Sequence, residues 1–217
     1  MKKIFDISMP LTSDTPVWPT SEKFRVTWVK NLRDDGVNES TLSFNTHTGT
    51  HLDVPYHFLE SGTRAGEIPL KKLVGETLVV EYMGEGDITP DFLDRVALPS
   101  SCYKILFKTR NSLIRGTEFR KDFIALSVEG AEWIVSKGIE LVGIDYLSIQ
   151  RFGDAANRTH KILLQNKVLI LEGLCLRDVG KGIYTLFALP LNIIEAEGAP
   201  VRAILIADNS LSGNSGF

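Results

Sequence analysis

The 217-residue sequence has only two cysteines, Cys102 and Cys175. They lie far apart and neither belongs to a Cys-x-x-Cys pair, so no disulfide framework is implied. Both are expected to be buried thiols in a cytoplasmic protein. No apolar run approaches the ~20 residues of a membrane-spanning helix, so no such span is expected. At the N-terminus, MKKIFDISMP places two lysines before a short apolar stretch that Asp6 interrupts. That is not the pattern of a signal peptide. Lysine and arginine are scattered: 24 basic residues against 27 acidic ones leave a formal charge of −3. With no basic stripe, nucleic acid is not expected as a partner, although a small anionic ligand remains compatible. Internal repeats, low-complexity tracts and long linkers are also missing.

What the sequence does contain is ordinary globular material. Hydrophobic residues make up 43% and charged residues 24%, enough to bury a core without metal or disulfide support. Short apolar, β-rich runs at 77–83, 103–108, 123–128, 141–144, 168–171, 184–189 and 203–207 predict strands. Several are apolar at nearly every position, as strands buried on both faces should be. Helical patterns alternate with them. Thr89-Pro90 predicts a helix start leading into 91–96, and helical spacing marks 129–137 and 158–166. This alternation predicts an α/β fold with a mixed, partly parallel sheet. The expectation is one domain over 1–217, with 1–22 an irregular N-terminal arm in which Pro10, Pro16 and Pro19 surround Trp18.

Histidine is scarce too, and its distribution is the strongest signal. Three of the four histidines fall within the eleven residues HTGTHLDVPYH, from His47 to His57. Histidine is the commonest metal-binding side chain. Pro55 disfavours a helix here, so an extended segment is predicted. In a strand, His47, Gly49, His51, Asp53, Pro55 and His57 would share one face, leaving Leu52, Val54 and the threonines for packing. Backbones four residues apart along a strand are separated by ~13 Å, whereas metal–nitrogen bonds are ~2.1 Å long. The chain must therefore bend between His47 and His51, and Gly49 permits it. Elsewhere, His160 opens the helical run HKILLQN, a position that by itself suits a surface or capping residue. Glu172 follows a buried run, where site residues of open α/β sheets are often found. Asp145 has a similar position but suits a cap or backbone hydrogen bond. Phe44, Tyr56 and Phe58 suit core packing.

HTGTHLDVPYHF is similar to the His-x-Gly-Thr-His-x-Asp-x-Pro-x-His signature of the Putative cyclase family, which includes the bacterial metal-dependent kynurenine formamidases (arylformamidases). The resemblance continues through GIDYLSIQ at 143–150, THKILLQNKVLILEGL at 159–174 and YTLFALPLNIIEAEGAPVRAIL at 184–205. It implies a swivelling β/β/α domain assembled as a homodimer or homotetramer. It implies that His47, His51 and Asp53 hold one divalent metal, with Asp53 bridging to a second held also by His160 and Glu172. His57 would be the catalytic acid/base. Trp18-Pro19 resembles the family's Trp-Pro-Gly-Asp arm near the substrate, with Thr20 and Ser21 replacing Gly and Asp.

Two imidazoles and a carboxylate leave a first-row ion with open positions, as in catalytic rather than structural sites. Zn²⁺ is the first expectation, one or two ions per chain, with Mn²⁺ the alternative. The expected activity is hydrolysis of a small amide, an aryl formamide such as N-formylkynurenine before all. Rival expectations are a cyclic, isatin-like amide and a metal-dependent binding protein without turnover. A serine hydrolase is disfavoured by the lack of a Gly-x-Ser-x-Gly elbow.

Overall fold

Seven strands close on themselves in the computed structural model, which describes residues 2–207. In chain order the elements are β1 (Lys3–Asp6), β2 (Arg25–Lys30), α1 (Leu32–Asp35), β3 (Glu39–Ser43), β4 (His51–Asp53), β5 (Val74–Tyr82), α2 (Pro90–Leu93), β6 (Lys104–Thr109), α3 (Val128–Ser136), β7 (Leu141–Ile144), α4 (Arg158–Gln165), β8 (Leu169–Glu172), β9 (Gly182–Pro190) and β10 (Gly198–Ala207). Strands β5 to β8 are parallel neighbours, and the connections between them carry α2, α3 and α4. Antiparallel pairings then join β8 to β4, β4 to β10, β10 to β9 and β9 back to β5. The result is an α/β fold whose mixed sheet is barrel-like, with β1 added alongside β10.

Strand alternation gives this sheet two cores. Leu52, Val79, Leu106, Leu171, Leu186 and Ala203 fill its interior. Val80, Phe107, Val142 and Ile170 point outward and pack under Ala131 and Ile134 of α3 and Leu163 and Leu164 of α4. The parallel strands are buried on both faces, which is why they read as continuous apolar runs.

Three expectations need correction. Residues 3–6 of the supposed irregular arm form β1, because the edge of β10 offers Ile204–Ala207 as an antiparallel partner. The run 123–128 is not a strand. Its side chains alternate between two clusters, Ile124 and Leu126 in one, Phe123 and Ala125 in the other. Its backbone groups nevertheless bond to the Asn111 side chain and to the Ile88 and Ile149 backbone rather than to one neighbouring strand, with one isolated bridge at Leu126. Burial on two sides imitates a strand's composition without a ladder. Cys175 is exposed, although Cys102 is buried. Met1 and residues 208–217, which the one-domain expectation includes, lie outside the described residues. Among the described residues no helix is long and apolar enough to cross a membrane.

Strands β2 and β3 were not predicted. They form a separate two-stranded ribbon whose every residue is exposed, so no burial pattern marks them. The base of this ribbon is nonetheless tied to the functional site, as follows from the residues that flank it.

Candidate metal centre

Cross-strand register brings the first acidic and imidazole groups together. In the antiparallel β4–β8 pair, His51 stands opposite Glu172 and Asp53 opposite Ile170. Leu52 points into the barrel, so His51 and Asp53 point to the outer face that Glu172 shares with Ile170. On that face α4 packs over β8, and its third residue is His160. Nε2 of His160 lies 3.2 Å from Oε1 of Glu172 and 3.6 Å from Oδ2 of Asp53. Nε2 of His51 lies 3.3 Å from Oε2 of Glu172 and 3.4 Å from Oδ1 of Asp53. All four residues are buried, Asp53 and His51 at 1% exposure each.

The other two imidazoles enter from turns at either end of β4. On the N-terminal side Gly49 takes φ +67°, the left-handed bend that the spacing demands. A Cβ there would also meet Cδ2 of Leu11 at 2.5 Å. The turn delivers Nδ1 of His47 to 2.8 Å from Oδ1 of Asp53. On the other side Pro55–His57 form a single 3₁₀ turn rather than a continued strand, as the fixed φ of proline at its first position favours. The predicted alternation thus holds only for 51–53, and His57 arrives by a turn. Its Nε2 stops 3.9 Å from Oδ2 of Asp53. The ring lies against His47 and Phe58, with centroids 4.1 and 4.2 Å away.

Ligating atoms of His47, His51 and Asp53 lie within 4.8 Å of one another, as do those of Asp53, His160 and Glu172. Asp53 belongs to both triads; His57 belongs to neither. The chemistry of the donor set fits divalent ions. Two carboxylates, with no lysine or arginine ion pair among the described residues, face three imidazoles in the pocket. Burial raises the Asp53 carboxyl, but the charges of His47 and His57 and hydrogen bonds from His160 and His47 outweigh it and hold the pKa well below the usual carboxylate range. Burial and the charge of Asp53 push Glu172 up, while hydrogen bonds from His160 and His51 bring it below its ordinary value. Burial lowers the three imidazoles, but Asp53 and Glu197 raise His47 to about 9, and Asp53 and Glu172 raise His160 to about 9 and His51 to about 10. Without a metal, protons on the histidines balance the acids, and an entering cation replaces those protons. His57 differs: burial lowers it first, and opposition from His47 and His160 keeps it down despite Asp53.

The pocket over these groups has a volume of about 420 Å³. Trp18 and Ser21, which precede β2, and Asn45 and His47, which follow β3, line it from the base of the ribbon, where Arg25 pairs with Ser43. Trp18 packs on Phe119 and Phe152, with ring centroids 4.9 and 5.4 Å away. Phe58 lines the pocket against His160. Phe44 packs on Phe24 and Tyr56 on the barrel core. Asp145 stands outside this pocket and accepts hydrogen bonds from the Thr109 and Ser112 backbone N–H groups and hydroxyls. Its role is to fix that loop. Glu197 lines the pocket as well, and sequence reasoning missed it. Glu197 stands far along the chain from the other candidate ligands with no ligand spacing to mark it, and the β10–β4 pairing brings it back beside the site.

A barrel-like mixed sheet carrying a shared-carboxylate His/Asp/Glu cluster on its outer face defines a class of metal-site α/β proteins. The chain belongs to the Putative cyclase family, whose model matches residues 5–151. It is 38% identical to "Cyclase-like protein 3" of Arabidopsis thaliana, over 94% of this chain and 80% of that protein. It is 36% identical to "Kynurenine formamidase" of Erythrobacter litoralis, over 94% of both chains. A solved structure described as a potential metal-dependent hydrolase with cyclase activity superimposes with a TM-score of 0.86 at 32% identity, covering 96% of this chain and 100% of that one.

Proposed function

We propose that the protein is a metal-dependent hydrolase of a small amide, with an aryl formamide such as N-formylkynurenine the first candidate substrate. The observation that carries this reading is the pair of triads sharing Asp53 inside one pocket, with a further imidazole beside them that neither triad uses. The formamidase among its relatives supports the choice of amide. In this reading His47, His51 and Asp53 hold one divalent ion, and Asp53, His160 and Glu172 a second. Mixed nitrogen and oxygen donors favour Zn²⁺, with Mn²⁺ next. A bound ion would supply a Lewis acid able to polarise a carbonyl and lower the pKa of water to about 7.

The remaining work falls to the chain. His57 faces the pocket with its ring nitrogens outside any hydrogen bond among the described residues, and its depressed pKa keeps it a free base at neutral pH. It takes the proton from the attacking water and returns it to the leaving nitrogen. Trp18, held by Phe119 and Phe152, supplies a flat apolar wall suited to an aryl group.

Purified protein is expected to contain divalent metal by elemental analysis and to turn over N-formylkynurenine. Chelation should stop turnover and added metal restore it. Faster turnover of an isatin-like cyclic amide would move the substrate assignment within the same chemistry. Metal-loaded protein inert toward a broad panel of amides and esters would overturn hydrolysis in favour of a binding role.

The same reading includes assembly into a homodimer or homotetramer. An isolated two-stranded ribbon is marginal in water, yet β2–β3 and the adjoining α1 expose Val26, Trp28, Leu32 and Leu42 together. Light scattering is expected to give at least twice the 24.1 kDa chain mass; a monomer at micromolar concentration would reject the assembly.

A further inference from the structure

We infer that Glu197 and Gln150 are positioning residues that fix which nitrogen of His47 and of His160 faces the metal, each serving one of the two triads. The inference rests on the metal sites of the proposed function but concerns residues outside both triads. Each of the three imidazoles of the two triads has one inner nitrogen turned toward the carboxylates and one outer nitrogen turned away. His51 directs Nδ1 at the Gly49 carbonyl, 2.9 Å away, which leaves Nε2 toward Asp53 and Glu172. A carbonyl can only accept, so Nδ1 keeps its proton and Nε2 is the nitrogen left to bind an ion once it gives up its own. His47 has the opposite orientation. Its inner atom is Nδ1, and its outer Nε2 lies 3.1 Å from Oε1 of Glu197. His160 places outer Nδ1 3.2 Å from Oε1 of Gln150 and inner Nε2 toward Glu172 and Asp53.

Both outer acceptors are themselves held. Oε1 of Glu197 accepts from the Thr46 hydroxyl at 2.6 Å, and Thr46 immediately precedes His47. The Gln150 amide group donates from Nε2 to the Asp154 carbonyl and to Oδ1 of Asn157, both at 3.1 Å. That fixes its oxygen toward His160. The segment containing Gln150 also supports the second triad directly, because the Ile149 N–H donates to Oε1 of Glu172 at 2.7 Å. Beside Glu197, Gly198 makes the room for the His47 ring: a Cβ at 198 would lie 2.9 Å from Cε1 of that ring. Glu197 and Gly198 thus orient His47 and seat it in consecutive positions.

An acceptor on the outer nitrogen fixes the tautomer and ring angle of a ligand and raises its basicity; losing such a partner typically costs 10–100-fold in metal affinity. The two residues therefore affect different ions. Glu197 acts on the ion of His47, His51 and Asp53, and Gln150 on that of Asp53, His160 and Glu172.

The test uses Co²⁺ as the probe with wild-type protein, E197A, E197Q and Q150A, each checked for a wild-type far-ultraviolet spectrum. Affinity is measured by calorimetry, and the downfield, solvent-exchangeable imidazole N–H resonances of the Co²⁺-loaded protein by NMR. E197A is expected to weaken one ion by roughly 10–100-fold and to lose the His47 N–H signal to exchange while the His160 signal stays. Q150A should do the reverse. E197Q keeps an acceptor oxygen and is expected to recover the His47 signal and most of the affinity. Unchanged affinity and resonances in E197A, or E197Q as weak as E197A, would overturn the orienting role. Wild-type protein that binds no Co²⁺ would overturn the metal sites themselves, and this inference with them.

Discussion

Replacing Asp53 with alanine is expected to strip the protein of metal and of hydrolytic activity together. Among the described residues Asp53 is the one common to both triads, and it is buried at 1% exposure. Its Oδ1 faces His47 and His51, and its Oδ2 faces His160. In the proposed reading, its removal would take a ligand from each ion and a shared negative charge from between the two triads. The loss should exceed the 10–100-fold in metal affinity that removal of an outer partner costs. Asp53→Asn isolates the charge, since the amide has nearly the same shape. With the carboxylate gone, an important cause of the raised pKa values of His47, His51 and His160 disappears. Those imidazoles then shed protons at lower pH, yet the site lacks the anion that holds two cations close together. Elemental analysis and turnover of the two variants check the expectation. An Asp53→Ala protein that is metal-free and fully active would refute the site.

His57→Ala is expected to cut turnover by roughly 10²–10⁴-fold, the usual contribution of a positioned acid or base, while metal content stays at the wild-type level. That range corresponds to about 3–5 kcal/mol of transition-state stabilisation. The separation of the two readouts follows from geometry. His57 lies 3.9 Å from Asp53, outside both triads, and enters on its own 3₁₀ turn. Its pH signature has a definite sign. Burial and the neighbouring imidazoles lower its pKa below 6.5, so the free base predominates at neutral pH. Wild-type kcat should fall as pH drops through that depressed pKa, because protonated His57 cannot accept the water's proton. His57→Ala should lose that acidic limb along with most of its rate. Loss of metal in this variant would make His57 a ligand and end its assignment as the acid/base.

The contrast between His57 and the other histidines shows how far one-dimensional spacing reaches. Clustering in HTGTHLDVPYH is enough to nominate ligands, and the need for a bend at Gly49 follows from strand rise against metal-bond length. The positive φ of Gly49 meets that need. Spacing alone put His57 on the same strand face as Asp53, whereas Pro55 turns the chain immediately after β4. His160 read by itself as a surface or capping residue, because a helix start says nothing about what packs on it. It is buried because α4 lies over β8.

Local sequence by itself determined the apolar parallel strands, most of the helices, the ligand-rich segment and the bend within it. These follow from burial periodicity, proline and glycine geometry and donor chemistry, all of which act over a few neighbouring residues. Tertiary structure alone decided that β4 pairs with β8 in the register placing His51 opposite Glu172. It alone returned Glu197 to His47, 150 residues earlier in the chain, and left 123–128 buried without a ladder. Those outcomes depend on how a mixed sheet closes, and closure is fixed by the summed packing of distant strands rather than by the residues that happen to meet at the seam.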